Sequence, residues 1–227
     1  MINTLYLKHV DGLRALAVLS VLFVHLNFSL FSGGYIGVDV FFVISGFLIT
    51  RLILSEIETT GSFRFIRFYC RRVKRILPAL FFILLLSWVL GFLLFSPQHF
   101  KQLGGSILFA SLSSSNFYFW AQSGYFDLAS QLKPLLHTWS LGVEEQFYFI
   151  WPALLYFGAL KHSKKYLPIL IISVFLMSFL LNLLCQKTHV EALYYLMPFR
   201  MFEFCVGALM VWMVQYEIKN KLFIELL

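Results

Sequence analysis

Residues 13–31 read LRALAVLSVLFVHLNFSLF, an apolar run long enough to cross the hydrocarbon core of a membrane as one helix. Its ionisable side chains, Arg14 and His25, lie eleven positions apart. Eleven residues make about three helical turns, so both project from nearly the same face, roughly 16 Å apart along the axis. Ionisable groups are costly inside a membrane and commonly line a polar path, so this face is predicted to be functional. Snorkelling of Arg14 and a helix–helix hydrogen bond of His25 are the structural alternatives.

The composition places the whole chain among membrane proteins. Of its 227 residues, 60% are hydrophobic and 13% are charged, whereas about a quarter of the residues are charged in a soluble domain. The net charge of +7 does not indicate a nucleic-acid partner, because the basic residues cluster between apolar runs, as membrane topology requires. Five further runs are long enough to span: 35–54, 76–95, 141–160, 167–185 and 194–214.

A weaker run at residues 103–120 is rich in Gly and Ser, and the charge pattern decides its interpretation. The basic stretches 51–75 and 161–165 are both expected in the cytoplasm, so an even number of crossings must separate them. The runs 76–95 and 141–160 supply two, and 103–120 is therefore predicted to be re-entrant, where protein or a watery cavity covers it. The prediction is an all-α polytopic membrane helix bundle with about six transmembrane helices, both termini inside and a re-entrant outer loop. Seven crossings are the alternative.

The segment between the second and third runs is predicted to lie on the membrane surface. Residues 55–74 look like a short amphipathic helix on the cytoplasmic side. Phe63, Phe65, Ile66 and Phe68 are expected to dip into the interface.

A second polar feature is the stretch HTWSLGVEEQFY at residues 137–148. Two adjacent carboxylates, Glu144 and Glu145, at the mouth of a membrane helix need partners or water, so packing alone does not account for them. Glu144 lies four residues from both Ser140 and Tyr148, and these three side chains share one helical face. The stretch is predicted to contribute to a functional site.

Other charged residues lie singly or in pairs in the remaining runs. Asp39 is a lone acid near the start of the second run, placed to pair with His25 or Arg200 or to serve only as a solvated acid at a helix start. Arg200 and Glu203 are three residues apart and fit an internal ion pair.

Basic residues at the start of the third run form a candidate phosphate site. Arg72 and Arg75 lie three residues apart and share a helical face with Arg71. Such a face is suited to hold phosphates from the cytoplasm, and positive-inside anchoring is the alternative. The histidines and cysteines show no spacing typical of metal ligands, so no metal is expected.

Together these motifs resemble the acyltransferase-3 family of membrane acyltransferases. The first helix has the Arg-x10-His pair Arg14 and His25, and Arg14 lies within the motif DGLRA at residues 11–15. The other matching motifs are GVDVFFVISGF at 37–47, the Arg72-x-x-Arg75 pair and WSLGVEEQFY at 139–148. They occur in the expected order and cover nearly the whole chain.

The resemblance implies a membrane-bound O-acyltransferase that moves an acyl group, usually acetyl, from cytoplasmic acyl-CoA to a hydroxyl of a glycan outside. Expected acceptors are lipopolysaccharide O-antigen, peptidoglycan, capsule or exopolysaccharide. The expected location is the bacterial inner (cytoplasmic) membrane, with the N-terminus in the cytoplasm. Because the family has more membrane helices than the six predicted here, residues 1–227 are interpreted as the N-terminal portion of one acyltransferase domain. A C-terminal portion or a separate partner chain would complete it.

The resemblance also implies roles for the residues above. Arg14, Arg72 and Arg75 are expected to hold the phosphates of the donor, acetyl-CoA. His25 is expected to act as a general base on the acceptor hydroxyl or as a covalent carrier, with Asp39 or Glu144 orienting its imidazole. The expected substrate-binding residues are His137, Trp139, Ser140, Glu145 and Tyr148.

A transporter or flippase is the main alternative, in which His25, Asp39 and Glu144 form a proton relay. A phosphate-binding face at Arg72 and Arg75 serves CoA and has no part in such a relay, so it distinguishes the two classes. An inactive fragment with a structural role is the third interpretation.

Overall fold

The computed structural model describes residues 7–26, 28, 32–123, 132–161 and 166–215, and these ranges contain helices and connecting turns with no strand. The predicted all-α class is confirmed. The helices in these ranges are α1 (Lys8–His25), α2 (Ile36–Thr60), α3 (Phe65–Leu94), α4 (Pro97–Ser111), α5 (Ser115–Gln122), α6 (Thr138–Lys161), α7 (Leu167–Cys185), α8 (Val190–Tyr195) and α9 (Met197–Gln215).

Four of these helices are long and apolar enough to cross a membrane: α2, α3, α7 and the Met197–Val214 part of α9. The helices α1 and α6, also predicted to span, have 18 and 24 residues but carry several charged residues. The structure therefore supports a membrane protein, and the number of six crossings stays a prediction.

The helices α2 and α9 form the centre of the bundle and cross with their backbones in contact. A Cβ atom built at Gly46 would overlap the carbonyl oxygen of Phe204, and one at Gly207 would overlap that of Val43. Only glycine fits at these two positions, and small residues are typical of close helix crossings in membranes. Next to the crossing, the rings of Phe42 and Phe204 stack with centroids 4.7 Å apart.

The helix α1 is held against the start of α2 in the same way. A Cβ atom at Gly34 would overlap the carbonyl oxygen of Ser20, and one at Gly37 would lie 2.5 Å from that of Ala17. This close approach places the end of α1, with His25, beside the first turn of α2.

The weak run at residues 103–120 folds as two helices, α4 and α5, separated by a turn. Ser113 in this turn has a positive φ of 56°. The helix α4 packs against α3, and α5 packs against α6. The run therefore does not form a single helix long enough to span a membrane, since α4 has 15 residues and α5 has 8. Its re-entrant position in the membrane stays a prediction.

The predicted surface helix at residues 55–74 is wrong. The helix α2 continues to Thr60 and ends at Gly61, whose φ of 72° makes a left-handed C-terminal cap. Of the residues expected in the membrane interface, Phe63 and Phe68 are 5% and 0% exposed and belong to the core, and Phe65 is partly buried against it. Ile66 is 81% exposed, which agrees with the expectation.

A buried acid explains why the chain turns at this point. Glu56 accepts a hydrogen bond from the backbone N–H of Arg64 at 3.2 Å, and its other oxygen lies 3.8 Å from the guanidinium of Arg71. The carboxylate thus ties the end of α2 to the start of α3, and Phe63 in the connection between them is buried.

Candidate functional site

His25 is the last residue of α1, and its side chain is exposed. Nδ1 of its ring lies 2.8 Å from the carbonyl oxygen of Val21. Because a carbonyl oxygen only accepts hydrogen bonds, the neutral ring carries its proton on Nδ1, and Nε2 is left as the basic nitrogen. The ring also meets Tyr35 edge-on, with centroids 5.9 Å apart. We call this end of the bundle, where α1 ends and α2, α6 and α9 begin, the His25 end.

A second histidine lies at the same end. His137 immediately precedes α6 and is close enough to His25 for their charges to interact. His137 keeps much of its surface exposed, yet the loss of part of its surrounding water lowers its pKa. A hydrogen bond to the carbonyl of Pro134 raises the pKa, and a positive charge on His25 lowers it.

The carboxylate of Asp39 pairs with Arg200 instead of His25. Nη2 of Arg200 donates to Oδ1 of Asp39 at 2.6 Å, and Nη1 lies 2.9 Å from Oε1 of Glu203. The side chains of Arg200 and Glu203 are 15% and 6% exposed, so this is a largely buried ion cluster. The predicted Arg200–Glu203 pair is confirmed. Of the two partners predicted for Asp39, His25 and Arg200, the structure shows Arg200.

Aromatic rings surround the guanidinium of Arg200. Its Cζ atom lies 5.8–6.0 Å from the ring centroids of Phe42, Trp139 and Tyr194. Trp139 and Tyr194 are in contact, with ring centroids 4.4 Å apart. We call Tyr35, Trp139 and Tyr194, together with Asp39, the aromatic mouth.

A hydrogen-bond network lies deeper between α2, α3 and α6. Oε1 of Glu144 accepts hydrogen bonds from the hydroxyls of both Ser45 and Tyr148, and these hydroxyls are 3.3 Å apart. The guanidinium of Arg72 lies over the Tyr148 ring, 5.4 Å from its centroid, and within electrostatic reach of Glu144. We call Ser45, Glu144, Tyr148 and Arg72 the Glu144 network.

A cavity of about 420 Å³ lies beside this network, between α3, α6 and the turn before α5. Its polar lining residues are Tyr69, Arg72, Ser113, Glu145, Gln146 and Tyr148. The hydroxyl of Ser113 donates to Oε2 of Glu145. The remaining lining is apolar, so the cavity suits a ligand with an apolar arm and an anionic or hydrogen-bonding group.

The three arginines expected to bind the donor lie in different surroundings. Arg72 lines the cavity, whereas Arg14 pairs with Asp11 at 3.6 Å within α1. Arg75 is exposed on α3, close enough to Arg72 for their charges to interact.

The expected substrate-binding residues divide between the two regions. His137 and Trp139 lie at the His25 end, and Glu145 and Tyr148 line the cavity. The Ser140 hydroxyl donates to the carbonyl of His137 at 3.1 Å, so Ser140 does not join the Glu144 network as its helical face suggested.

Several polar residues of these regions were not recognised as site residues from the sequence. Ser45 and Ser113 each bind a carboxylate, and Asn116 exchanges hydrogen bonds with Gln146, the shorter at 2.8 Å. Gln146 lies inside a recognised motif, but its partner is thirty residues away, and no local spacing indicates the pair. Among the residues that the structure describes, no three His, Cys, Asp or Glu side chains are grouped as metal ligands.

These features define a helical membrane protein with an exposed histidine at one end and charged groups buried between its helices. The profile of a family described as an acyltransferase domain matches residues 7–221. The chain belongs to this acyltransferase-3 family, as the motifs predicted.

Relatives support the same assignment. The chain is 41% identical over 169 residues to the peptidoglycan O-acetyltransferase OatA of Listeria monocytogenes, covering 73% of this chain and 27% of that protein. It is 34% identical over 223 residues to the putative peptidoglycan O-acetyltransferase YrhL of Bacillus subtilis, covering 96% and 35%. The O-acetyltransferase OatA of Staphylococcus aureus is 41% identical over 166 residues, covering 73% and 27%. The chain thus spans about a third of the length of these relatives. No solved structure matches it.

Proposed function

We propose that this chain forms the membrane part of an O-acetyltransferase of the bacterial inner membrane, with its N-terminus in the cytoplasm. The donor is cytoplasmic acetyl-CoA, and the acceptor is a glycan hydroxyl outside. Among the expected acceptors we propose peptidoglycan, and not O-antigen, capsule or exopolysaccharide, because two of the relatives described above are named peptidoglycan O-acetyltransferases. A C-terminal portion or a partner chain supplies the rest of the domain.

The observation that best supports this proposal is the position of Arg72. Its guanidinium lines the cavity while stacking on Tyr148, whose hydroxyl is bonded to Glu144. A fixed guanidinium beside an apolar cavity suits a phosphate-bearing donor with a thin organic arm. Arg75 and Arg14 are the further phosphate ligands in this proposal.

His25 carries out the chemistry through Nε2. As a general base, Nε2 takes the proton of the acceptor hydroxyl while the hydroxyl oxygen attacks the thioester carbonyl carbon. The tetrahedral intermediate then expels the CoA sulfur, which receives that proton from the imidazolium. In the covalent alternative, Nε2 attacks the thioester carbonyl carbon, and CoA leaves, taking up the Nδ1 proton to become a thiol. The acceptor hydroxyl oxygen then attacks the acetyl carbon, the acetyl–nitrogen bond breaks, and the hydroxyl proton returns to the ring.

Asp39 and Glu144 do not orient the His25 ring by direct hydrogen bonds in this mechanism, because other side chains hold both carboxylates. Asp39 is held by Arg200, and Glu144 is held by Ser45 and Tyr148. These partners also disfavour the proton-relay alternative, because a relay needs titratable groups that pass a proton to one another.

The test is acetylation by the protein expressed with any continuation that its gene encodes. His25→Ala is expected to abolish transfer of labelled acetyl groups to envelope glycan, with the protein at the wild-type membrane level. Acetyl-CoA should raise the melting temperature of wild-type and His25→Ala protein alike, because a ligand that binds only the folded state stabilises it. Full activity in His25→Ala would refute the catalytic role, and absence of any acetyl-CoA effect would refute the donor.

A further inference from the structure

We infer that the aromatic mouth binds a pyranose ring of the acceptor glycan beside His25, with Tyr35 and Tyr194 as the stacking residues and Asp39 as a hydrogen-bond acceptor. This inference rests on the proposed function and adds residues that bind the acceptor. Tyr35 and Tyr194 lie outside the residues selected from the sequence, and Asp39 takes a role different from orienting His25.

The rings of the mouth lie at the same end of the bundle as His25. His25 meets Tyr35 edge-on at 5.9 Å, and Tyr35 is within electrostatic reach of Tyr194. Tyr194 in turn contacts Trp139 at 4.4 Å. The two tyrosines are 56% and 42% exposed, while Trp139 is 4% exposed beneath them. A flat molecule lying on the tyrosines would therefore present one edge to His25.

The exposed rings rest on a rigid base. The Arg200 guanidinium lies 6.0 Å from the Tyr194 ring centroid and 5.9 Å from that of Trp139, and the Trp139 and Tyr194 rings contact each other. The ion pairs of Arg200 with Asp39 and Glu203 fix the guanidinium in turn. A surface already ordered before binding loses little conformational entropy when a ligand arrives.

The chemistry of this surface matches a sugar better than an anion. One arginine faces two carboxylates, so the cluster offers no free positive charge to a phosphate or carboxylate group. Within the described part of the chain, Oδ2 of Asp39 accepts no hydrogen bond, and the side chain is 37% exposed. A pyranose offers C–H groups to the negative faces of the tyrosines and hydroxyl donors to this oxygen.

This position separates the acceptor from the donor. The cavity with Arg72 is lined by α3, α6 and the turn before α5, and it includes no residue of the aromatic mouth among its described lining residues. His25 belongs to the mouth side. Donor and acceptor would then approach from different sides of the bundle, which suits transfer across a membrane.

The experiment measures sugar and donor binding separately on the same samples. The whole protein, with any continuation that its gene encodes, is placed in lipid nanodiscs and titrated with a GlcNAc–MurNAc tetrasaccharide by saturation-transfer NMR. The melting temperature with acetyl-CoA is recorded in parallel. The variants are Tyr35→Ala, Tyr194→Ala and the corresponding Phe variants, with Tyr166→Ala as the control. Tyr166 is 54% exposed at the start of α7, so the Tyr166→Ala variant removes the same side chain from a different part of the surface.

Wild-type protein and the control are expected to bind the tetrasaccharide alike, and each mouth Ala variant about tenfold more weakly, a change of about 1.4 kcal/mol. The Phe variants retain the ring and should bind within about threefold of wild type. The acetyl-CoA effect should be the same in all of them.

Three results would overturn the inference. The first is that the Ala variants bind the tetrasaccharide as wild type does. The second is that the Phe variants lose binding as the Ala variants do. The third is that wild type responds to acetyl-CoA but not to the sugar. Loss of thermal stability with unchanged sugar binding would show that the tyrosines only anchor the helices at the membrane interface. Failure of wild type to respond to acetyl-CoA would instead count against the proposed function, so the two failures are distinguishable.

Discussion

The guanidinium of Arg200 donates to the carboxylate of Asp39 at 2.6 Å, although the two residues are 161 positions apart in the chain. The bond joins the first turn of α2 to the first turn of α9, directly above the glycine crossing of the same two helices. Arg200 also holds Glu203, so a single arginine compensates two carboxylates inside the bundle. Among the residues that the structure describes, its removal leaves both acids without a cationic partner.

Loss of the arginine should therefore cost more stability than loss of one acid. Arg200→Met is expected to lower the free energy of unfolding by about 3–5 kcal/mol, because it strands the buried carboxylate of Glu203 and the partly exposed carboxylate of Asp39. Asp39→Asn should cost only about 1–2 kcal/mol, since the amide oxygen still accepts and Glu203 still pairs. Unfolding in mixed micelles with increasing SDS measures both. The triple variant Arg200→Met, Asp39→Asn, Glu203→Gln should recover part of the loss; equal effects of the two single variants would contradict the shared role.

The glycines of the α2–α9 crossing should be intolerant of a methyl group. Gly46→Ala and Gly207→Ala each direct a Cβ into a backbone carbonyl, and we expect a loss of about 2 kcal/mol or more from the forced separation of the helices. The matched control is Gly104→Ala in α4, where no heavy atom lies within 4 Å of the added carbon. The control should be neutral or stabilising by about 0.5–1 kcal/mol, because alanine favours the helix. SDS unfolding of the three variants decides this; similar losses in all three would contradict the crossing.

Local patterns in the sequence were sufficient to predict the helices and some of the site. Apolar runs gave the helical class, and the i, i+3 spacing gave the Arg200–Glu203 pair. The four-residue spacing also placed Tyr148 beside Glu144, whose carboxylate accepts the Tyr148 hydroxyl. Spacing did not indicate Ser45, 99 residues from Glu144, or decide between His25 and Arg200 as the partner of Asp39, because helix order alone does not determine which helices touch. The prediction placed Phe63 at the membrane surface, because aromatic residues between arginines are typical of a surface helix. The buried Glu56, which binds the backbone of Arg64 and turns the chain inward, could not be recognised from this local pattern.

The donor site can be tested by comparing arginines on one helix. Arg72→Ala is expected to raise the KM for acetyl-CoA about tenfold or more, because Arg72 lines the cavity and a charge-assisted contact contributes about 1.5–3 kcal/mol. Arg75→Ala should have a smaller effect, since Arg75 is exposed to water. Arg67→Ala, another exposed arginine of α3, is the control and should leave KM near the wild-type value. Equal increases for Arg72→Ala and Arg67→Ala would show that the arginines act only through general surface charge.

The last prediction concerns the pH response of the two histidines at the His25 end. Loss of surrounding water and the charge of His25 lower the pKa of His137 in the folded protein, so the unfolded chain binds more protons below about pH 6.5. The stability contributed by neutral His137 is therefore complete above about pH 6.5, falls as the pH drops, and levels off below the folded-state pKa. His137→Gln should remove this part of the pH dependence.

The contribution of His25 can be isolated by titration. In ¹³C-histidine-labelled protein, His25→Gln should raise the pKa of His137 toward its ordinary value without restoring it fully, because burial is the larger cause. His9→Gln, which alters an exposed histidine near the start of α1, should leave it unchanged. An identical His137 titration in wild type and His25→Gln would mean that the two rings do not share a site, and His137 would then lose its place beside the base.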